Sequence, residues 1–225
     1  MLNILYSEPN KVKGKFITLE GGEGCGKSTQ VRLLATYLQN KNIDVVTTKE
    51  PGGTPEGKIL RELLVTGDKD KFDAVTECLL YYADRRCHLT KLVWPAMEEG
   101  KWVISDRYAD STEAYQYYGY NKRVEHNILE NMYKIVAGDF KPDLTLILDI
   151  DPEVGMRRSF AKAETMEVKE LRFESRQLEF HKNLRQGFLE IAKREPERCV
   201  VLNADTTVED LHHEIIRVIN EKLGI

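Results

Sequence analysis

The sequence has few of the features that mark secreted, membrane-bound or nucleic-acid-coating chains. It holds only four cysteines in 225 residues, Cys25, Cys78, Cys87 and Cys199. None stands in C-x-x-C spacing, so they read as free thiols in a reducing, cytoplasmic setting. No apolar run approaches the ~20 residues that span a bilayer, so no membrane partner is expected. Met1 to Gly14 carries Lys11 and Lys13 but no long apolar core before them, and reads as an N-terminal tail (1–14) rather than a secretory signal. The net charge is only −4, with basic and acidic residues interspersed, so nothing suggests a nucleic-acid-binding surface and no nucleic-acid partner is expected. The histidines are scattered without zinc-ligand spacing. No repeat and no low-complexity segment is visible, and the guanine-reading run Asn-Lys-x-Asp of a GTPase switch is missing.

What is there begins with Glu20-Gly21-Gly22-Glu23-Gly24-Cys25-Gly26-Lys27-Ser28-Thr29. An apolar run, Phe16 to Leu19, precedes it, and the periodic segment Val31, Leu33, Leu34, Tyr37, Leu38 follows. Strand, tight loop and helix are the context in which G-x-x-x-x-G-K-S/T forms a phosphate-binding P-loop. Glycines let backbone N–H groups face an anion with no Cβ in the way, and the helix that follows adds its positive end. Lys27 then reaches the β- and γ-phosphates, and the Ser28 hydroxyl suits Mg²⁺.

The rest of the chain alternates strands and helices. Ile43 to Thr48, Trp102 to Ser105, Leu144 to Asp149 and Cys199 to Leu202 read as further strands. Helical patterns run through Ile59 to Leu64, Phe72 to about Glu99 with a break or bend at Pro95, Ile128 to Val136, Val154 to Phe160, Leu171 to Ile191 and Val208 to Leu223. Apolar strands between helices predict an α/β, three-layer P-loop NTPase fold, a five-stranded parallel sheet flanked by helices, in one domain over 1–225. The charged, aperiodic stretch after Phe160 reads as a lid at about 159–172.

Ligands of such a sheet bind at the carboxyl ends of its strands. Glu23, Lys27, Glu50, Asp106, Arg107 and Asp149 all follow strands. Asp106-Arg107-Tyr108 suits a carboxylate beside Mg²⁺ and a guanidinium on a phosphate, against the alternative of a solvated pair. Asp149 serves equally as a second such carboxylate or as the cap of the helix near Pro152. Tyr81 and Arg85, four residues apart, share a helix face, and on the residues alone read as a core tyrosine with a surface arginine.

Taken in order, the P-loop with Glu23 inside it, Glu50-Pro51-Gly52-Gly53-Thr54, Tyr82-Ala83-Asp84-Arg85, Asp106-Arg107-Tyr108, Ser111-Thr112-Glu113-Ala114-Tyr115-Gln116 and Phe140-Lys141-Pro142-Asp143 are similar to the bacterial thymidylate kinase family, from about Phe16 to the last helix. The resemblance implies a homodimer that phosphorylates dTMP with ATP and Mg²⁺. It implies ATP phosphates along Gly21, Gly22, Glu23, Gly24, Cys25, Gly26, Lys27, Ser28 and Thr29. It implies acceptor contacts from Glu50, Pro51, Arg61, Arg85, Arg107, Ser111, Thr112 and Gln116, thymine stacking by Tyr81, and a Tyr115 ring that crowds a ribose 2′-hydroxyl. Metal contacts fall to Ser28, Asp106 and Glu50, and catalysis to Glu23, Lys27, Arg107 and the lid arginines Arg158 and Arg172. The P-loop position of Cys25 carries no base, and in this type the lid supplies that charge.

Overall fold

The computed structural model describes residues 14–68, 71–163 and 178–225. Five strands, β1 (Phe16–Glu20), β2 (Val45–Lys49), β3 (Trp102–Asp106), β4 (Leu144–Asp149) and β5 (Cys199–Asn203), form one parallel sheet in the order β2-β3-β1-β4-β5. β1 is buried throughout and β4 nearly so, whereas the edge strands β2 and β5 are partly exposed. That is the pattern of a parallel sheet covered on both faces.

The α/β expectation and all five strand positions are met. Ile17 and Leu19 of β1 pack with Leu34 and Leu38 of α1 (Lys27–Asn40) and with Ile215 and Ile219 of the closing helix. Phe16 faces the other side, toward Leu89, Val93 and Leu129. On that side the alternation turns polar, for Thr18 and Glu20 are fully buried next in line.

α2 (Pro55–Val65) starts on the side-chain cap of Thr54, and α3 (Ala74–His88) on that of Asp73. Past α3 the helix does not stop at Pro95. It widens through a π-turn, Leu89–Val93, into α4 (Trp94–Glu98). A proline lacks the N–H of the regular ladder and crowds the carbonyl four residues back, and a wider turn just before it relieves both. The same device carries α5 (Ala109–Glu113) through Ala114–Gly119. The remaining helices are α6 (His126–Ala137), closed by Gly138 at φ 62, α7 (Pro152–Ala163), α8 (Leu178–Arg194) and α9 (Val208–Leu223). Residues 1–13 of the expected tail at 1–14 and most of the lid at about 159–172 lie outside the described residues. Among the described residues no helix is long and apolar enough to cross a membrane.

Register sets the site. Leu19 and Lys49 both pair with Asp106, so β1, β2 and β3 end level, and everything that follows them opens on one rim.

Candidate active site

The phosphate loop joins β1 to α1. Its glycines are needed where the chain has no room: a Cβ on Gly24 would stand 2.0 Å from the carbonyl oxygen of Gly155. Gly26, at φ 92, turns the backbone into the first residue of α1. That first turn carries no acidic side chain, so the positive end of the helix is unopposed. Lys27 is buried, and its Nζ donates to the carbonyls of Gly21 at 3.1 Å and Gly22 at 2.7 Å, with Cys25 Sγ at 3.3 Å. Ser28 Oγ donates to Asp106 Oδ2 at 2.6 Å. The hydroxyl expected from the loop and the carboxylate expected from β3 therefore meet, and Thr29 follows in the first turn of α1.

Beside the loop lies a cleft of about 640 Å³, counting its open mouth. Glu23, Glu50, Pro51, Arg61, Tyr81, Arg85, Arg107, Ser111, Thr112 and Tyr115 line it, as do Val65 and Tyr108. All of these except Val65 and Tyr108 are predicted site residues.

Arg107 ties loop and cleft together. Its Nη1 donates to Gly21 O at 2.8 Å and Ser111 Oγ at 3.1 Å, and its Nη2 reaches both oxygens of Glu23 at 3.1 Å. The guanidinium lies 5.0 Å over the Tyr115 ring, and the Tyr115 hydroxyl donates to Glu23. Arg107 adopts φ 74, a left-handed conformation that costs a non-glycine residue about 1–3 kcal/mol. Burial pushes the Glu23 carboxyl up, but Arg107, Lys27 and the Tyr115 hydroxyl outweigh it and bring the pKa down to about 2. Glu23 is thus a fixed anion between cations.

Arg85 is 1% exposed, which corrects its reading as a surface arginine, and it is Tyr81 that is half-buried. The Arg85 guanidinium lies 4.9 Å from the ring of Tyr82 and 4.9 Å from that of Tyr108. Its Nε donates to Glu50 Oε2 and its Nη2 to Thr112 Oγ1, each at 2.9 Å, and its buried Nη1 has no hydrogen-bond partner among the described residues. Glu50 itself is held below the usual carboxylate range: burial opposes ionisation, and Arg85 and His88 overcome it. Both its oxygens are engaged, by Arg85 and His88. Of the three metal candidates, then, Ser28 and Asp106 are together and Glu50 belongs to the arginine. Arg61 donates to the carbonyl of Pro51 at 2.9 Å.

Some expected residues stand elsewhere. Gln116 does not line the cleft, and its amide donates to Glu77 at 2.9 Å behind it. Arg158 packs on Gly24, and its guanidinium donates to Ala204 O at 3.0 Å and Asp205 at 3.1 Å. Arg172 lies outside the described residues. Asp149 is no helix cap: it pairs with both Arg185 nitrogens at 2.7 and 2.8 Å, while Asp151 caps α7 through the amides of Glu153 and Val154.

Sequence reasoning missed the buried groups behind the cleft. Glu20, at the end of β1, accepts from Tyr108 N at 2.7 Å and from the Ser111 hydroxyl, and burial together with nearby Asp110 pushes its pKa up to about 7. Asp84 accepts from Gly52 N at 3.0 Å, and burial with neighbouring Glu50 pushes it up to about 7 as well. The signal was a polar residue at an apolar position, Glu20 after a hydrophobic strand and Asp84 with His88 on the inner face of α3.

The thymidylate kinase family model matches residues 19–215. A curated thymidylate kinase of Caulobacter vibrioides is 45% identical over 213 residues, covering 95% of this chain and 99% of its own length. One from a Bradyrhizobium species is 42% identical over 211 residues, covering 94% and 92%. The crystal structure of thymidylate kinase from Ehrlichia chaffeensis superposes with a TM-score of 0.72 at 35% identity, over 92% of this chain and 98% of that one. With the P-loop, the Asp106 carboxylate and the arginine-lined cleft in one rim, the chain belongs to the thymidylate kinase family, the nucleotide kinases that phosphorylate dTMP to dTDP.

Proposed function

We propose that the phosphate loop takes ATP and the cleft takes dTMP, and that the γ-phosphoryl group passes between them where Lys27, Glu23 and Arg107 converge. The observation that carries this reading is the sharing of Glu23 and Arg107 between loop and cleft, which joins two anion sites into one reaction volume. Arg85, with one buried donor to give, and Tyr81 above it recognise the base, and Arg61 and Arg107 hold the acceptor phosphate. To the Tyr115 ring, pinned by Arg107 and Glu23, we assign the selection of a deoxy sugar by crowding a ribose 2′-hydroxyl.

The acceptor phosphate has a second pKa of about 6 and is mostly dianionic at neutral pH, so no general base is required. The bond from the γ-phosphorus to the β–γ bridging oxygen breaks as the acceptor oxygen bonds in line, leaving ADP and dTDP. The protein aligns two anions and spreads the charge onto Lys27 and Arg107. The Ser28 hydroxyl and Asp106 carboxylate, 2.6 Å apart, are the hard oxygen donors that Mg²⁺ prefers, and no group of three His, Cys, Asp or Glu side chains able to hold a metal ion by itself occurs among the described residues. This suits an ion that keeps waters and binds largely through substrate phosphates. When bound, Mg²⁺ supplies charge neutralisation on the phosphate oxygens.

The same proposal includes a cytoplasmic homodimer. Val75 and Leu79, four apart on α3, are 41% and 55% exposed, and Ile135 on neighbouring α6 is 64% exposed, an apolar face suited to a second copy. A panel of dTMP, dUMP, dCMP and dGMP, assayed with ATP and Mg²⁺ for ADP release, tests the substrate. Turnover is expected to be fastest with dTMP, and equal rates across the panel would refute the acceptor assignment.

A further inference from the structure

Three side chains from the last turns of α3, Asp84, Arg85 and His88, meet the turn Glu50-Pro51-Gly52 that walls the cleft. His88 is fully buried. Its Nδ1 lies 2.6 Å from Glu50 Oε1 and its Nε2 lies 2.8 Å from Thr48 Oγ1. The carboxylate can only accept, so Nδ1 carries a proton and donates to it, while Nε2 hydrogen-bonds the Thr48 hydroxyl. Glu50 in turn holds Arg85, and Arg85 reaches Thr112. A chain of contacts thus runs from the end of β2 to α5 behind the cleft, and neither Thr48 nor His88 touches the cleft itself.

The turn is built around this imidazole. A Cβ on Gly53 would stand 2.7 Å from His88 Cδ2, 2.9 Å from its Nε2 and 2.5 Å from Thr48 Oγ1, so only glycine leaves room for the ring. Without the Nδ1 donor, Glu50 Oε1 would be a buried charged oxygen lacking a partner, which a side chain relieves by rotating. Arg85 takes its direction from that carboxylate, and its Nη1 would then no longer face the acceptor.

We infer that His88 is a positioning residue for the acceptor nucleotide, fixing Glu50 so that Glu50 fixes Arg85. The inference rests on the proposed acceptor role of the cleft.

Two variants separate positioning from simple packing. Asparagine carries its amide nitrogen on Cγ, where the imidazole carries Nδ1. Glutamine carries it one bond further out, toward Nε2. His88→Asn therefore keeps the donor to Glu50 and loses Thr48, and His88→Gln does the reverse. Each gives up one buried hydrogen bond, and both melting temperatures should fall, that of His88→Gln further because it leaves a charged oxygen unpaired, so positioning is read from the two KM values. In steady-state assays on the full chain, His88→Gln is expected to raise the KM for dTMP about tenfold, the effect of one hydrogen bond to a charged group, with the KM for ATP within about twofold. His88→Asn is expected to stay within about threefold of wild type for both substrates. Equal shifts in the two variants, a parallel rise in both KM values, or an unmoved KM for dTMP in His88→Gln would overturn the inference while the substrate assignment stands. Wild-type protein that fails to phosphorylate dTMP would overturn both.

Discussion

Replacing Arg107 by lysine keeps the positive charge and removes the fork, which makes it the sharpest single test of how this site stabilises the transferred group. In the structure one guanidinium serves Gly21 O, Ser111 Oγ and both oxygens of Glu23, and lies over Tyr115. An ammonium on a flexible stem is a point charge that cannot hold that planar set of contacts. Both residues are L-amino acids, so the backbone strain at φ 74 is the same in each and the fold should survive. An arginine that stabilises transition-state charge contributes about 10³ to 10⁵ in rate. Lysine retains the charge but not its placement, so we expect a loss of about 10² in kcat, about 2.7 kcal/mol, with the KM for ATP little changed. Arg107→Met should lose more and also change the pH profile. It leaves Glu23 buried while removing the first of the cations that bring its pKa down to about 2, so that carboxyl moves up and an acid limb enters the rate profile. A coupled ADP-release assay across pH 5 to 8 reads both effects. A kcat for Arg107→Lys within about threefold of wild type, or a change confined to the KM for dTMP, would refute transition-state stabilisation by the fork.

Lys27→Ala should bind dTMP normally by calorimetry and lose turnover, because Lys27 sits in the loop and does not line the cleft; near-normal turnover would remove it from the mechanism. Arg85→Ala strands Glu50 and should cost about 3–5 kcal/mol in urea unfolding while raising the KM for dTMP far more than that for ATP. Equal rises in both KM values would count against acceptor recognition at Arg85. Asp84, raised to about 7 by burial and by Glu50, with Arg85 and His88 opposing, keeps a proton in the folded state that the unfolded chain releases near pH 4. Its contribution is complete below that value and disappears as pH rises toward 7, amounting to about 4 kcal/mol. Asp84→Asn should therefore gain stability relative to wild type steadily between pH 4 and 7, and a flat difference in melting temperature would show that Asp84 is ionised when folded.

The fold was legible because its signals are local. A buried parallel strand is an apolar run wherever it occurs, and the phosphate loop declares itself through glycine spacing that no neighbour modifies. The site was legible only where a motif follows a strand: Lys27, Ser28, Asp106 and Arg107 fall on the rim because Leu19 and Lys49 both stand in register with Asp106. Arg85 was misread from its own stretch, since nothing within α3 says that Tyr108, from another element, closes over the guanidinium or that Glu50 neutralises it. The open choice at Asp149 could not be decided locally for the same reason, because a distant partner, Arg185, takes both its oxygens and the cap falls to Asp151.

The buried charged residues in and behind the cleft wall share a property that bears on mechanism. Glu20, Glu50, Asp84, Arg85 and His88 are all nearly or fully buried, and each holds the backbone or side chain of a residue in the cleft wall or in the turn that forms it. Burying such groups opposes folding unless they are paired, and their pairing is what removes water from the wall. Cations that must meet two phosphorylated ligands bind most strongly when nothing has to reorganise around them at the moment of transfer. A wall whose polar groups are already held by partners deeper in the protein meets that condition, so Glu20, Asp84 and His88, behind the cleft, are best understood as the part of the active site that the substrates never touch.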